Sequence, residues 1–488
     1  MKDQTMTRTA SKSKNIVIWV GFLVSAFIAA FFYIRSEIQY YSTFDYNLHD
    51  DYVYAFPSNS TAQVEVGRNG FDWPASKTSW DTAFLKINVS SDWSSLFFKP
   101  FIVIRYHGEV IRQYFEKTAR GIRYLNLSRL AGSITPPGTP SDKIELKGHH
   151  ISWKQGLTEL YRFQNADINK EKILIIAPHP DDAEIATFGL YDHRDAYIVA
   201  ITAGENGKPR FKKFFSDKKE HALFQGMVRT WDSVTVPFCW GGLMPGRSVN
   251  LGYFDGTLKE MFKNPSTKVV SASGATDLGT FRKYNLSPLA IQDTLAPTWN
   301  NLVEDLSQLI TLIQPTVIVT PNPLTDSHPD HEFSTIALFE AIQKSGFKSG
   351  SLYLYTVHDA YSSRWPFGKA TSMVSLPPYF SKRPFFDKIY SYHLSQESFT
   401  RKLFALDDMH GFRPVYFLTP DKYSDSFPVI LQSAYLQWKT LSQVRKYLRY
   451  DELFFVAPVE KAGLLREEFL KNPTYIPKKK ACSPYHGF

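Results

Sequence analysis

Cysteine is nearly absent from this 488-residue chain: Cys239 and Cys482 are the only two. They stand in no metal-binding spacing, and whether the two pair with each other stays open. No internal repeat or low-complexity segment interrupts the sequence. Charge of one sign is scarce as well, since 56 Lys and Arg against 47 Asp and Glu leave a net +9 that is spread along the chain. The one compact basic run, Lys478-Lys479-Lys480, lies near the end. No stretch joins basic spacing to a nucleic-acid-binding signature, so no nucleic acid partner is expected; the excess favours anionic surfaces or glycans. Apolar residues at 43% and charged residues at 21% argue against long disorder.

What is present begins with a long apolar run. Ile16 to Ile34 carries no charge over nineteen residues, about the ~20 needed to cross a bilayer as a helix. It is long for the apolar core of a signal peptide and ends in Phe31-Phe32-Tyr33, so an uncleaved anchor is expected. Lys2, Arg8, Lys12 and Lys14 precede it against Asp3 alone, whereas Arg35 and Glu37 cancel after it. The positive-inside rule then places the N-terminus in the cytoplasm and the large domain outside, as for a bacterial inner-membrane protein. Four glycosylation sequons, at Asn59, Asn88, Asn126 and Asn285, matter only in a eukaryotic secretory host.

The expected organisation is a tail over 1–15, the membrane helix over 16–34 and a stalk over 35–60. A β-rich accessory domain comes next over 61–165, then a catalytic domain over 170–460 and a C-terminal tail over 461–488. In the β-rich part Leu85, Ile87 and Val89 alternate with polar residues, Phe101–Tyr106 is a strong strand run, and turn signals punctuate both. This pattern suggests a small β-sandwich. Trp73, Trp80 and Trp93 suit core packing better than a sugar platform. From Lys172 the grammar changes. Ile173–Ala177, Ala196–Thr202 and Thr316–Thr320 are short continuous apolar runs, as for strands buried on both faces. Helical spacing of Leu295, Trp299, Leu302, Leu306, Leu309 and Ile313 separates the last two, closed by Pro315, and 331–344 is another candidate helix. The fold class expected is α/β, with a Rossmann-like, mostly parallel sheet whose sites lie beyond the carboxyl ends of strands.

Two clusters sit at such ends: His179-Pro180-Asp181-Asp182-Ala183-Glu184 and Asp326-Ser327-His328-Pro329-Asp330-His331. A lone His-Pro-Asp is usually a turn, and its aspartates helix caps. Two such clusters in one sheet point instead to a divalent cation. Imidazole with carboxylate suits zinc, and three protein ligands leave the open position that a hydrolase needs.

The pair HPDDAE and HPDH resembles the PIG-L/LmbE-type de-N-acetylase superfamily over about residues 170–415. Thr202-Ala-Gly-Glu205 fits that family's T-x-G-E loop, and Lys402-Leu-Phe-Ala-Leu followed by His410 is similar to a late family helix. The resemblance implies zinc (Zn2+) held by His179, Asp182 and His331, and Asp181 as the general base that takes a proton from the attacking water. It implies that His328 stabilises the oxyanion and protonates the leaving amine, with Asp330 orienting it. Glu184 and Glu205 are weaker candidates for substrate contact. Two departures lie where substrate approaches: Ala186-Thr187-Phe188-Gly189 keeps a single glycine, and Asp217-Lys218-Lys219-Glu220 lacks the family's arginine.

The expected activity is removal of an N-acetyl group from an amino sugar in a glycolipid or cell-envelope glycan, lipopolysaccharide core being one candidate. The alternative is a membrane-anchored, metal-dependent glycosyltransferase, which typically uses Asp-x-Asp and a hydrated ion on phosphates. A non-catalytic glycan-binding protein would have no need of Asp181.

Overall fold

The computed structural model describes residues 3–74, 79–131, 133, 143–207, 211, 214–292, 294–412, 444 and 446–471. Cys482 and the basic run at 478–480 lie outside them. Helix α1 (Asp3–Tyr41) is one uninterrupted helix. Among the described residues it holds the one segment long and apolar enough to cross a membrane, Phe22–Tyr41, with a mean hydropathy of 1.3.

Nine strands come after it: β1 (Thr61–Val66), β2 (Gly70–Asp72), β3 (Thr82–Ser91), β4 (Phe101–Tyr106), β5 (Glu109–Tyr114), β6 (Arg120–Asn126), β7 (Lys143–His149), β8 (Ile151–Trp153) and β9 (Gly156–Phe163). They form two antiparallel sheets, one in the order β1-β9-β3-β6 with β8 beside β3, the other in the order β2-β7-β4-β5. The sheets enclose a core of Val64, Leu85, Ile87, Ile104, Leu125 and Leu146. Trp73 and Trp80 stack on one another at 4.7 Å, with Trp73 in this core and Trp80 packed against it, whereas Trp93 is exposed.

The third sheet has seven strands: β10 (Ile173–Ala177), β11 (Ala196–Thr202), β12 (Ser248–Tyr253), β13 (Val317–Pro321), β14 (Ser351–Tyr355), β15 (Lys388–His393) and β16 (Asp451–Pro458). Its order is β12-β11-β10-β13-β14-β16-β15. The helices that frame the site are α2 (Asp182–Ala186), α3 (Lys218–Gly241), α4 (Trp299–Ile313), α5 (Pro329–Ser345) and α6 (Gln396–Asp408).

The expected Rossmann-like, mostly parallel fold is overturned. Among the described residues four strand pairings are parallel, all in the seven-stranded sheet, against nine that are antiparallel, two of them in that sheet and seven in the β-rich region. Two of the three sheets are wholly antiparallel, and the third is mixed. The reason is physical. A five-residue apolar run records burial on both faces but not the direction of its neighbours. The strands that turn the sheet antiparallel are β16, whose Leu453–Ala457 is itself such a run and gives no sign of its direction, and β15, whose Lys388–His393 has none.

The β-rich region is also not separated from the seven-stranded sheet. β3 sends Leu85 and Ile87 into the core between the two antiparallel sheets but Phe84 the other way. With Tyr124, Tyr161 and Phe163, Phe84 joins one buried cluster with Leu174, Ile176 and Phe455 of the seven-stranded sheet. Buried hydrogen bonds cross the same seam: Asn126 Nδ2 donates to Val374 O and Ser391 Oγ at 2.9 Å each. The segment expected as a stalk is packed too. Tyr52 and Tyr54 lie in that cluster, and Glu116 accepts from Tyr46 Oη at 2.6 Å and Tyr52 Oη at 2.5 Å beside Arg123. An aromatic-rich, aperiodic sequence reads as a linker, yet here its rings fill the gap between sheets.

Candidate metal centre

β10 and β13 are adjacent and parallel, so their carboxyl ends deliver the two motifs to one edge of the sheet. After β10 the chain turns through Pro178–Asp181 into α2. After β13 it enters α5, where Pro329 takes the first helical turn and His328 is the N-cap, a position that suits proline because no amide partner is lost.

The turn and the cap bring three side chains together. His179 Nδ1 lies 3.2 Å from Asp182 Oδ2 and 3.2 Å from His331 Nε2, and His331 Nε2 lies 3.1 Å from Asp182 Oδ2. All three residues are buried. Ligands about 2.0–2.1 Å from a tetrahedral zinc stand about 3.3 Å apart, so this triangle has the dimensions of a zinc face.

The outer partners fit as well. His331 Nδ1 meets Asp326 Oδ2 at 3.1 Å, which leaves Nε2 for the triangle. His179 Nε2 meets Asp330 Oδ2 and Asp255 Oδ1 at 3.3 Å each, which leaves Nδ1. Carboxylates behind metal-binding imidazoles fix the tautomer and raise basicity. Four carboxylates, Asp182, Asp255, Asp326 and Asp330, thus surround two imidazoles, an excess that a divalent cation neutralises. His328 and His358 also carry ring nitrogens within 4.8 Å of two members of the triangle.

Without a cation the same carboxylates hold protons on the rings. Burial works against charge on His331, but Asp182 and Asp326 outweigh it and push the imidazole up to about 10. His179 is raised likewise: burial is opposed by Asp255, Asp182 and Asp330. Asp182 and Asp326 sit below the usual carboxylate range, since the facing imidazoles overcome burial. A metal entering here displaces the ring protons. His328 goes the other way. Burial and the positive charges of His179 and His331 bring it down to about 4. The Asp330 N–H donates to His328 Nδ1 at 3.2 Å, so the assigned tautomer of the neutral ring carries its proton on Nε2.

A cavity of about 330 Å³ opens over the triangle, walled by Asp181, Asp182, Arg229, His328, His358 and Tyr447 among others. Asp181 Oδ1 pairs with Arg229 Nη2 at 2.9 Å, and Arg229 Nη1 donates to Gly204 O at 3.1 Å.

Three expected placements need correction. Asp330 does not orient His328 through its carboxylate, which instead faces His179 and accepts from the Gly256 amide at 2.6 Å; it is the Asp330 main chain that holds His328. Gly256 sits at φ +81°, where a side chain would be strained. Glu184 is turned away from the cavity, bonded to Tyr191 Oη at 3.0 Å, and burial pushes it up to about 8. Glu205 is also withdrawn. It accepts from the Asp255 amide and Ser271 Oγ, and burial together with Asp255 raises it to about 8.

Sequence reading missed Asp255, Arg229 and His358. Asp255 could have been found, because it lies just past strand β12 as the two motifs lie past theirs. Arg229 supplies a guanidinium from the middle of α3, whose opening turn has only Asp217 as cap. His358 lies in a loop with no motif. Lys402 and the late helix serve the scaffold. Lys402 Nζ donates to Ile185 O at 2.9 Å and pairs with Glu452 at 2.7 Å, tying α6 to the end of α2. Gly189 explains the single glycine after the first motif. A Cβ there would stand 2.6 Å from the Tyr392 ring, and its amide donates to Glu452 at 2.9 Å.

No family model and no curated protein matches the chain. Among solved structures it is similar to the 4-carboxy-2-hydroxymuconate hydratase GalB of Pseudomonas putida KT2440, at 12% identity over 59% of this chain and 96% of that one, with a TM-score of 0.32. Xylanase 10C of Cellvibrio japonicus with xylopentaose gives 10% identity over 66% and 81%, with a TM-score of 0.19. A family two carbohydrate esterase of Cellvibrio japonicus gives 14% over 62% and 84%, with a TM-score of 0.14. Overlaps this loose carry no functional argument.

Proposed function

We propose that this chain is a membrane-anchored, zinc-dependent hydrolase of the PIG-L/LmbE type that removes an N-acetyl group from an amino sugar of a glycolipid or cell-envelope glycan. The observation that carries the reading is the triangle of His179 Nδ1, Asp182 Oδ2 and His331 Nε2 at 3.1–3.2 Å, each imidazole backed by a carboxylate. These three residues would hold the ion, which when bound supplies Lewis-acid polarisation of the amide carbonyl.

The remaining steps belong to the chain's own groups. Asp181 has one carboxylate oxygen engaged by Arg229, and Oδ2 takes a proton as water oxygen adds to the acetyl carbon. The His328 Nε2–H donates to the oxyanion that forms. Because His328 Nδ1 accepts from a main-chain amide, this ring acts as donor rather than as proton source. The proton held on Asp181 therefore passes to the departing nitrogen. The C–N bond breaks, acetate is released, and the sugar keeps a free amine.

The test is acetate release from a panel of N-acetyl-amino-sugar glycans and lipid-linked oligosaccharides by the full chain, with and without chelator. Chelator-sensitive release from at least one supports the reading; a zinc-loaded protein that releases acetate from none contradicts it.

A further inference from the structure

We propose that the loop between β3 and β4, residues 92–99, is embedded in the bilayer interface beside α1, so that the domain rests on the membrane surface. Four large apolar side chains cluster there in the open: Trp93 is 77% exposed, Leu96 39%, Phe97 56% and Phe98 59%. They are presented on purpose-built backbone, a short turn over Trp93–Leu96 capped by Asp92, which accepts from the Ser94 amide. Water gains nothing from four such groups side by side, whereas a bilayer boundary does.

The occupant is set by the loop's own contacts. The Tyr33 ring stacks on Phe97 at 5.7 Å, and Tyr33 Oη donates to Leu96 O at 3.2 Å. Tyr33 stands in the last turn of the apolar run that ends at Ile34. If the uncharged run Ile16–Ile34, and not the window Phe22–Tyr41 that contains Arg35 and Glu37, fills the ~30 Å hydrocarbon layer, Phe97 lies at the headgroup boundary, the depth at which interfacial segments bury their apolar face. Trp and Tyr prefer this level.

The helix does not hinge away from the loop. Lys117 Nζ bridges Glu37 of α1 at 2.5 Å and Leu96 O at 3.0 Å, and the Lys117 amide donates to Tyr40 Oη at 2.8 Å. Lys99, at the end of the loop, is exposed and feels the charges of Arg364 and Lys369, which are exposed too, a set of cations suited to anionic headgroups. The inference rests on α1 crossing the membrane and not on the proposed chemistry.

The test uses the full chain with Cys239→Ser and Cys482→Ser, reconstituted in vesicles of phosphatidylethanolamine and phosphatidylglycerol. A single cysteine carries an environment-sensitive fluorophore at Phe97→Cys, Phe27→Cys in mid-helix, or Leu157→Cys on the exposed start of β9. Acyl-chain spin-labelled lipid should quench the probe at 27 and at 97 and spare the one at 157. Native Trp93 gives a second reading without a new cysteine: Trp93→Phe should remove part of the tryptophan quenching by brominated lipid. Quenching at 27 with none at 97, and no change in Trp93→Phe, overturns the embedded loop. No quenching at either 27 or 97 overturns the anchor on which it rests.

Discussion

Asp326→Asn isolates the outer support of the centre without touching the three residues of the triangle. The Asp326 carboxylate is fully buried and accepts four hydrogen bonds. Oδ2 takes His331 Nδ1 at 3.1 Å, the Val357 amide at 2.8 Å and the His358 amide at 3.0 Å; Oδ1 takes the His328 amide at 3.1 Å. An asparagine keeps three of these by placing its oxygen at Oδ2, which turns its NH2 against the His328 amide. One unmet buried donor pair costs about 1–3 kcal/mol. His331 also loses the charge that makes it basic, and loss of such an outer carboxylate weakens metal binding by about 10–100-fold. The assay is competitive zinc titration against a chelator, with thermal unfolding of the metal-free protein alongside. A folded Asp326→Asn protein that binds zinc as tightly as the parent would refute the assignment of His331 Nε2 as a ligand.

Other outcomes come from the same geometry. Asp181→Asn should keep its zinc while acetate release falls by about 10²–10⁴, measured on matched, metal-quantified protein. Removing residues 1–165 should leave a chain that does not fold, because Phe84, Tyr124 and Tyr161 share a core with the seven-stranded sheet; a soluble, zinc-loaded fragment contradicts the shared core. Glu116→Gln strands the buried Arg123 and should cost about 3–5 kcal/mol at neutral pH in denaturant unfolding. Burial opposes the Glu116 charge but Arg123, Tyr46 and Tyr52 outweigh it, holding its pKa below the ordinary 4.5. Its contribution is thus present above about 4.5 and lost as pH falls through the lower folded value. The gap between parent and variant should close on acidification, and a gap that widens contradicts the pairing.

Much of the centre was legible because its residues are local in sequence. His179 and Asp182 are one turn apart, His331 opens a helix, and the motifs come directly after one apolar run and six residues past another, runs that form adjacent parallel strands. The illegible part depends on long-range packing. Asp255 reaches His179 from a third strand end, and Arg229 reaches Asp181 from the middle of a helix. The division of labour at Asp330 turned on which of its atoms faces which histidine, and composition says nothing of that. The sheet class failed for a related reason, since burial of a strand does not record its neighbour's direction. Tyr46, Tyr52 and Tyr54 fall in a segment whose sequence suggests a stalk, because their partners lie sixty to more than three hundred residues away.

X-ray absorption at the zinc edge of the purified full chain tests the central claim most directly. The expected spectrum is a first shell of nitrogen and oxygen at about 2.0–2.1 Å with imidazole outer-shell scattering from two rings, and no sulfur. Its imidazole features should weaken in His179→Ala and in His331→Ala. A chain that retains no zinc, or a spectrum unchanged by both substitutions, would contradict the centre described here.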